Sequence, residues 1–283
     1  MSTILETRNL SFQYPDDTAA LKDVSVKIES GKKVAFLGPN GAGKSTLFLH
    51  LNGILKPSQG RILFKGREIK YNRSSLMELR RNIGIVFQDA DSQLFSANVF
   101  QEVSFGPLNL GLPEQEVRAR VTKALADTDI SHLVQKPTHF LSYGQKKRVS
   151  IAGILAMEPS VIILDEPTSS LDPYHGKQLM DLIDELSRRG TTVILSTHDI
   201  EMAYAWAESI YVMLDGMILK EGVPEELFQD EPLLKKAGLC KPLILEIYQE
   251  FKKWGYFKEE IKPPRNKKQL SQIIEALAPT IKD

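Results

Sequence analysis

A lysine behind a glycine-rich turn and two acids behind an apolar run are the residues of this chain best suited to chemistry. The first set is Gly38-Pro39-Asn40-Gly41-Ala42-Gly43-Lys44-Ser45-Thr46, which fits the phosphate-loop pattern G-x-x-x-x-G-K-[ST] at every fixed position. Glycines let such a backbone curl until its N–H groups face a polyphosphate, and the helix that follows adds the positive end of its dipole. Lys44 then brings a full charge to the β- and γ-phosphates, and Ser45 offers a hydroxyl to Mg²⁺. The second set is Asp165 and Glu166, at the end of Val161-Ile162-Ile163-Leu164 and before Pro167. Alternation along a strand points neighbours to opposite faces, which predicts separate roles: Asp165 for Mg²⁺ through its water shell, and Glu166 to polarise an attacking water. Nucleotide binding follows, although the loop alone does not separate a kinase, a GTPase and a motor ATPase.

The flanking elements must hold these groups in place. Val34-Ala35-Phe36-Leu37 reads as a buried strand before the loop, and Leu47, Leu49 and Leu51 open a short helix that Gly53 can end. Upstream, Leu10, Phe12 and Tyr14 alternate, as do Val24, Val26 and Ile28 after a turn at Pro15-Asp16-Asp17, so the chain opens on an antiparallel β region. Tyr14 can stack on an adenine or pack as an ordinary strand aromatic, and spacing leaves both readings open. Arg61-Ile62-Leu63-Phe64 is another alternating segment, with Lys65-Gly66 as its hairpin turn. Gln88 ends the apolar run Ile83 to Phe87, where ligand residues gather in open α/β sheets; it is a candidate to touch Mg²⁺ or a water.

From about residue 90 to 158 the strand signal fades into a helical insertion. One helix starts near Pro113 and carries Val117, Val121 and Leu125; another follows Leu141-Ser142-Tyr143-Gly144-Gln145 and carries Val149, Ala152, Leu155 and Ala156. Ser142 would cap it, and with Gly144 would make its start a second anion site. Ser169-Ser170-Leu171-Asp172-Pro173 begins the next helix, which Gly190 closes, and Thr192 to Ser196 forms a strand. His198 follows that strand, within plausible reach of a γ-phosphate. Asp215-Gly216 turns a hairpin between Ile210 to Leu214 and Met217 to Lys220. Beyond Leu239, Leu243, Ile247 and Phe251 make one apolar stripe, and Leu270, Ile273, Ile274 and Leu277 make another, with Pro263-Pro264 between. Glu246, Glu250, Glu259 and Glu260 interleave with the lysines there, which favours a packed or dimerising helical pair over a membrane-surface helix.

The composition narrows the partners. Lysine plus arginine and aspartate plus glutamate number 36 each in 283 residues, so the net charge makes no case for nucleic acid. Cys240 is the single cysteine, which excludes an intrachain disulfide and suits a reducing compartment. The first residues lack a signal core, and the longest apolar runs, such as Ile151 to Met157, fall short of a bilayer span. The expectation is a cytoplasmic protein that meets a membrane only through other polypeptides.

Phosphate loop, Gln88, LSYGQ, VIILDE (a Walker B-like segment), SSLD and His198 stand in one order along residues 1 to about 235. In that order the chain resembles the ATP-binding cassette ATPases. The resemblance implies an α/β fold: a P-loop NTPase core with a mostly parallel sheet, an N-terminal antiparallel β region, a helical insertion and a C-terminal helical extension. Residues 1–238 would be the ATPase domain and 239–283 the extension. It implies ATP and Mg²⁺ as ligands, with Tyr14 on the adenine, Gly38 to Thr46 on the phosphates, and Ser45, Gln88 and Asp165 at the metal. Glu166 would be the general base and His198 the γ-phosphate sensor. Ser142, Gly144 and Gln145 of one subunit would close on the nucleotide of a second cassette, with Asp172 at the same interface. The sequence departs from the signature at Tyr143, where glycine is usual, which puts the rate in question rather than the mechanism.

Val86 to Phe95 and Ser104 to Gly111 are further similar to the ATPases of energy-coupling-factor importers, which take up cobalt, nickel or vitamins in bacteria. The tail after Leu239 resembles that group too, where it helps pair two ATPases. The resemblance thus implies a peripheral subunit on the cytoplasmic face of the cell membrane, contacted by integral membrane transport subunits near Gln88 to Phe105. It would hydrolyse ATP to energise import, with cobalt preferred over nickel or a vitamin. The alternative is a soluble cassette ATPase acting on DNA or ribosomes. Such proteins usually carry a long coiled-coil insertion or two cassettes, whereas this chain has one phosphate loop and no sustained heptads.

Overall fold

The computed structural model describes residues 2–169, 171–257 and 261–277. Met1, Ser170 and residues 258–260 and 278–283, among them Glu259 and Glu260, lie outside the described residues. The strands are β1 (Thr3–Gln13), β2 (Ala19–Glu29), β3 (Lys33–Leu37), β4 (Gln59–Phe64), β5 (Arg67–Glu68), β6 (Ile83–Val86), β7 (Val161–Leu164), β8 (Thr192–Thr197), β9 (Ser209–Leu214) and β10 (Met217–Gly222). They form two sheets. One is antiparallel in the order β2-β1-β4-β5, and the other runs β10-β9-β3-β8-β7-β6. All pairs of the second sheet are parallel except the β9–β10 hairpin at its edge.

Burial follows the two-residue period of a strand. On β3, Val34 and Phe36 face a core shared with the antiparallel sheet and the helix after the phosphate loop. Ala35 and Leu37 face the opposite core, beneath the later helices. β7 and β8 divide in the same way, with Ile163 and Ile194 on the first face and Leu164 and Leu195 on the second. Such strands bury both faces, so they read as continuous apolar runs instead of alternating ones.

The helices are α1 (Lys44–Leu51), α2 (Arg73–Asn82), α3 (Val99–Asn109), α4 (Glu114–Asp127), α5 (Tyr143–Leu155), α6 (Pro173–Arg188), α7 (Ile200–Trp206), α8 (Pro224–Leu227), α9 (Glu231–Ala237), α10 (Leu243–Lys253) and α11 (Lys267–Leu277). α3, α4 and the body of α5 enclose a core of their own, built on Val103, Val121, Leu125 and Val149. The start of α5 is fixed by a capping box. The Ser142 hydroxyl accepts the Gln145 N–H at 3.3 Å, and the Gln145 side chain accepts the Ser142 N–H at 3.1 Å. α6 starts at the carboxylate of Asp172, which accepts the N–H groups of Tyr174 and His175. The His175 side chain beside it, and then those backbone bonds, hold the Asp172 carboxyl below its ordinary range.

The C-terminal helices lie on the sheet's second face. Leu245, Tyr248, Phe257 and Leu270 join the same core as Leu164 and Leu195. The buried face of α10 is therefore set by Leu245 and Tyr248, while Leu243, which the sequence puts in the apolar stripe, is exposed. Arg265 fastens the segment between α10 and α11. Its guanidinium grips the Glu225 carboxylate at 2.6 and 2.7 Å and donates to the Ala207 carbonyl at 2.7 Å. The pairing holds the Glu225 carboxyl below its ordinary range.

Candidate functional site

Four adjacent strands, β3, β8, β7 and β6, run parallel and deliver their C-terminal ends to one edge of the sheet. The phosphate loop leaves β3, His198 leaves β8, Asp165 and Glu166 leave β7, and Gln88 leaves β6. Ligand sites of open parallel sheets form at that edge.

The loop is bent by glycines, two of which leave no room for a side chain. Gly38 has φ +154°, and a Cβ there would lie 2.2 Å from the Met213 carbonyl oxygen. Gly43 has φ +99°, and its Cβ would meet the Ala20 carbonyl oxygen at 2.6 Å. Gly41 has φ +81° and open space around it. Among the described residues no side chain caps α1, and its first turn holds no acid. The N–H groups of this turn are therefore left for an anion.

Lys44 is buried and folds back on the loop, its Nζ donating to the carbonyls of Gly38 at 2.7 Å and Pro39 at 3.1 Å. Burial draws its ammonium below the ordinary lysine range, against the opposing pull of Glu166 and Asp165. A cation held back from water beside two acids is poised for a polyphosphate. Ser45 is exposed, whereas Thr46 is buried. Tyr14 is half-buried, and its hydroxyl lies 3.1 Å from Thr46 Oγ1. Its ring stands edge-on to Phe12, which packs in turn on His50 of α1. Tyr14 therefore sits beside the phosphate loop, on a support of two rings.

The acids diverge by a route different from strand alternation. Asp165 still pairs with β6, its N–H donating to the Val86 carbonyl at 2.9 Å. Glu166 leaves the strand in the left-handed region, at φ +45°. Such a backbone is uncommon for a side chain of this size and persists only where its surroundings hold it. The holder is Ser196 of β8, whose hydroxyl accepts the Glu166 N–H at 2.9 Å and donates to Asp165 Oδ1. His198 Nδ1 lies 2.9 Å from Glu166 Oε2. The other carboxylate oxygen, Oε1, is buried and has no partner among the described residues. A carboxylate oxygen of that kind needs a donor, and water or a hydrated cation supplies one. With the uncapped turn of α1 and the open space at Gly41, this donor set fits Mg²⁺ and a polyphosphate.

Gln88 is exposed at the end of β6, and its carbonyl is held by α5. The Tyr143 hydroxyl donates to it at 2.8 Å and Lys147 Nζ at 3.0 Å. Lys147 is wholly buried and also donates to the Phe87 carbonyl at 2.8 Å. Burial pulls its ammonium down to about 8, opposed by Asp165, Asp89 and Glu166.

The phosphate loop, Asp165, Glu166 and His198 are thus brought together with Tyr14 at their flank. Ser142, Gly144 and Gln145 are not. They line a separate hollow of about 470 Å³ with Leu171, Asp172 and His175. Among the described residues no hydrogen bond joins them to the phosphate loop. Sequence reasoning missed Ser196 and Lys147. A serine in an apolar strand and a lysine in a basic run carry no signal of their own, and only strand register and helix rotation expose their positions.

The sequence pattern of the ABC transporter family matches residues 21–169. The chain is 49% identical to the energy-coupling factor transporter ATP-binding protein EcfA of Methanocaldococcus jannaschii over 266 residues, which cover 92% of this chain and 95% of that one. It is 52% identical over 252 residues to a putative ABC transporter ATP-binding protein of Methanosarcina mazei. That match covers 89% of this chain but 56% of the relative, so the chain spans little more than half of that protein. Among solved structures, cbiO1 of Clostridium perfringens, part of the ABC transporter complex cbiONQ, superposes with a TM-score of 0.74 at 48% identity. The superposition covers 89% of this chain and all of that one.

Proposed function

The chain belongs to the ABC transporter family, as an energy-coupling-factor ATP-binding subunit, and we propose that its hydrolysis of ATP energises the import of a transition-metal ion, cobalt foremost. The observation that carries the enzymatic part is the buried Glu166 carboxylate, braced by His198 on one oxygen and, among the described residues, unpartnered on the other, at the strand end next to the phosphate loop.

In this reading Lys44 and the N–H groups of residues 38–46 bind the β- and γ-phosphates, and Tyr14 lies on the adenine. Ser45, Asp165 and Gln88 hold Mg²⁺, which when bound neutralises charge on the phosphate oxygens. Glu166 accepts the proton of the attacking water. His198 orients that carboxylate by donating from Nδ1, and in its doubly protonated form it also presents an Nε2–H to the γ-phosphate. Ser142, Gly144 and Gln145 complete the site of a second ATPase subunit, because in their own chain they stand apart from the loop.

Support for a metal as solute is the likeness to cbiO1 of the cbiONQ complex; residues 86–95 and 104–111 are similar to energy-coupling-factor importers of metals and vitamins alike. No described helix is long and apolar enough to cross a membrane, so transport needs membrane subunits. A groove of about 440 Å³ between α2, α3 and the loop after β6 suits them. The rings of Phe95 and Phe105 meet edge to face there at 4.7 Å, yet are 65% and 49% exposed. Exposed aromatic pairs of this kind are the anchors on which interfaces depend.

Affinity purification of the chain from detergent-solubilised membranes tests the assignment. Integral membrane subunits should copurify, and Phe105→Asp should reduce their recovery by about 30-fold, the weight of a buried interface anchor. Its melting temperature should fall by only a few degrees, because the ring is already about half exposed. Undiminished recovery would move the docking site elsewhere.

A further inference from the structure

Three side chains at the start of α5 reach across to one loop. Tyr143 and Lys147, four residues apart, lie on the same helix face. Both donate to the Gln88 carbonyl, and Lys147 takes the Phe87 carbonyl as well. Lys146 adds an ion pair with Asp91. Lys147 decides how firm this contact is, because an ammonium with no exposed surface must keep its acceptors. Moving the loop away from α5 would strand that charge.

The loop is stiff on its other side. Gln93 folds under it, accepting the Phe87 N–H at 3.0 Å and donating to the Ile85 carbonyl at 3.2 Å. The buried Glu102 carboxylate accepts the N–H groups of Phe95 and Ser96. Residues 85–96 and the first turns of α5 therefore form one hydrogen-bonded body. At one end it carries Gln88, and at the other the capping box of Ser142 and Gln145.

We propose that Tyr143 and Lys147 are positioning residues that lock the Gln88 loop to the Ser142–Gly144 helix start, so that the two move as a unit when Gln88 responds to bound nucleotide. This rests on the ATPase reading of the site. Gln88 belongs to this chain's own nucleotide, whereas Ser142 and Gly144 belong to the partner's, so the latch ties one half-site to the other. Tyr143 contributes through its hydroxyl, which a glycine at that position could not supply.

The full chain tests this through steady-state phosphate release and nucleotide titration of wild type, Tyr143→Phe, Gln88→Ala and the double variant. Tyr143→Phe should leave nucleotide affinity and KM within about twofold and lower kcat by about 3- to 10-fold, the weight of one hydrogen bond. In the Gln88→Ala background it should cost nothing further, because it acts through that residue. A kcat within 1.5-fold of wild type, or two losses that simply multiply, would overturn the latch. If wild type itself releases no phosphate, the ATPase reading fails, and the latch is judged alone by amide hydrogen exchange. Tyr143→Phe and Lys147→Met should speed exchange at residues 87–92 in the nucleotide-free chain, and unchanged exchange would refute it.

Discussion

Glu166→Gln should keep ATP binding and slow phosphate release by about 10²–10⁴-fold, the usual weight of a general base. The substitution isolates one property. Glutamine has the same size, so the pocket stays filled, and the Ser196 hydroxyl still accepts the residue-166 N–H that holds the left-handed backbone. The amide oxygen can still face His198 Nδ1. What disappears is a group able to take a proton from the water that Oε1, without a partner among the described residues, would receive. Phosphate release alongside a nucleotide titration separates the two effects, and turnover within threefold of wild type would remove Glu166 from that role.

Lys44→Ala should weaken ATP binding by about 10²-fold or more, as expected when charge-assisted hydrogen bonds to phosphate, each about 1.5–3 kcal/mol, are lost. The chain should remain folded. Among the described residues Lys44 donates only to loop carbonyls, of Gly38 and Pro39, and burial already disfavours its charge. Removing it therefore relieves a desolvation cost while freeing two carbonyls that water can reach through the exposed Pro39 and Asn40. An unchanged affinity with a normal melting temperature would mean that the loop does not hold the phosphates.

These residues were legible because their chemistry is local. The bend of the phosphate loop is written in three glycines, and the strand before the acids in four consecutive apolar residues, so both needed only their neighbours to be read. The helices α2 and α3 were not placed from sequence. α3 contains Gly106 and Pro107, which argue against a helix, yet Pro107 lies near its end and interrupts little before the cap at Leu110. Tertiary packing of Val99 and Val103 against α4 and α5 outweighs that local signal.

The acids teach a similar lesson. Their divergence was expected from strand alternation, but β7 ends at Leu164, and the backbone at Glu166 turns left-handed under the grip of a serine from the next strand. Tyr143 was legible only as a departure from a pattern, and its hydroxyl contact lies 55 positions away in sequence. Lys147 reads as one member of a solvated basic run, while helix rotation alone buries it. In each case the information sits in register between elements, which no local pattern carries.

The central claim is that hydrolysis at this site drives import. Uptake of radioactive cobalt by cells lacking the chain, complemented with wild type or Glu166→Gln, tests it most directly, with nickel and vitamin uptake followed in parallel. Wild type should restore accumulation of cobalt, and the Glu166→Gln chain, though present and able to bind ATP, should not. Equal accumulation with both chains would contradict the account.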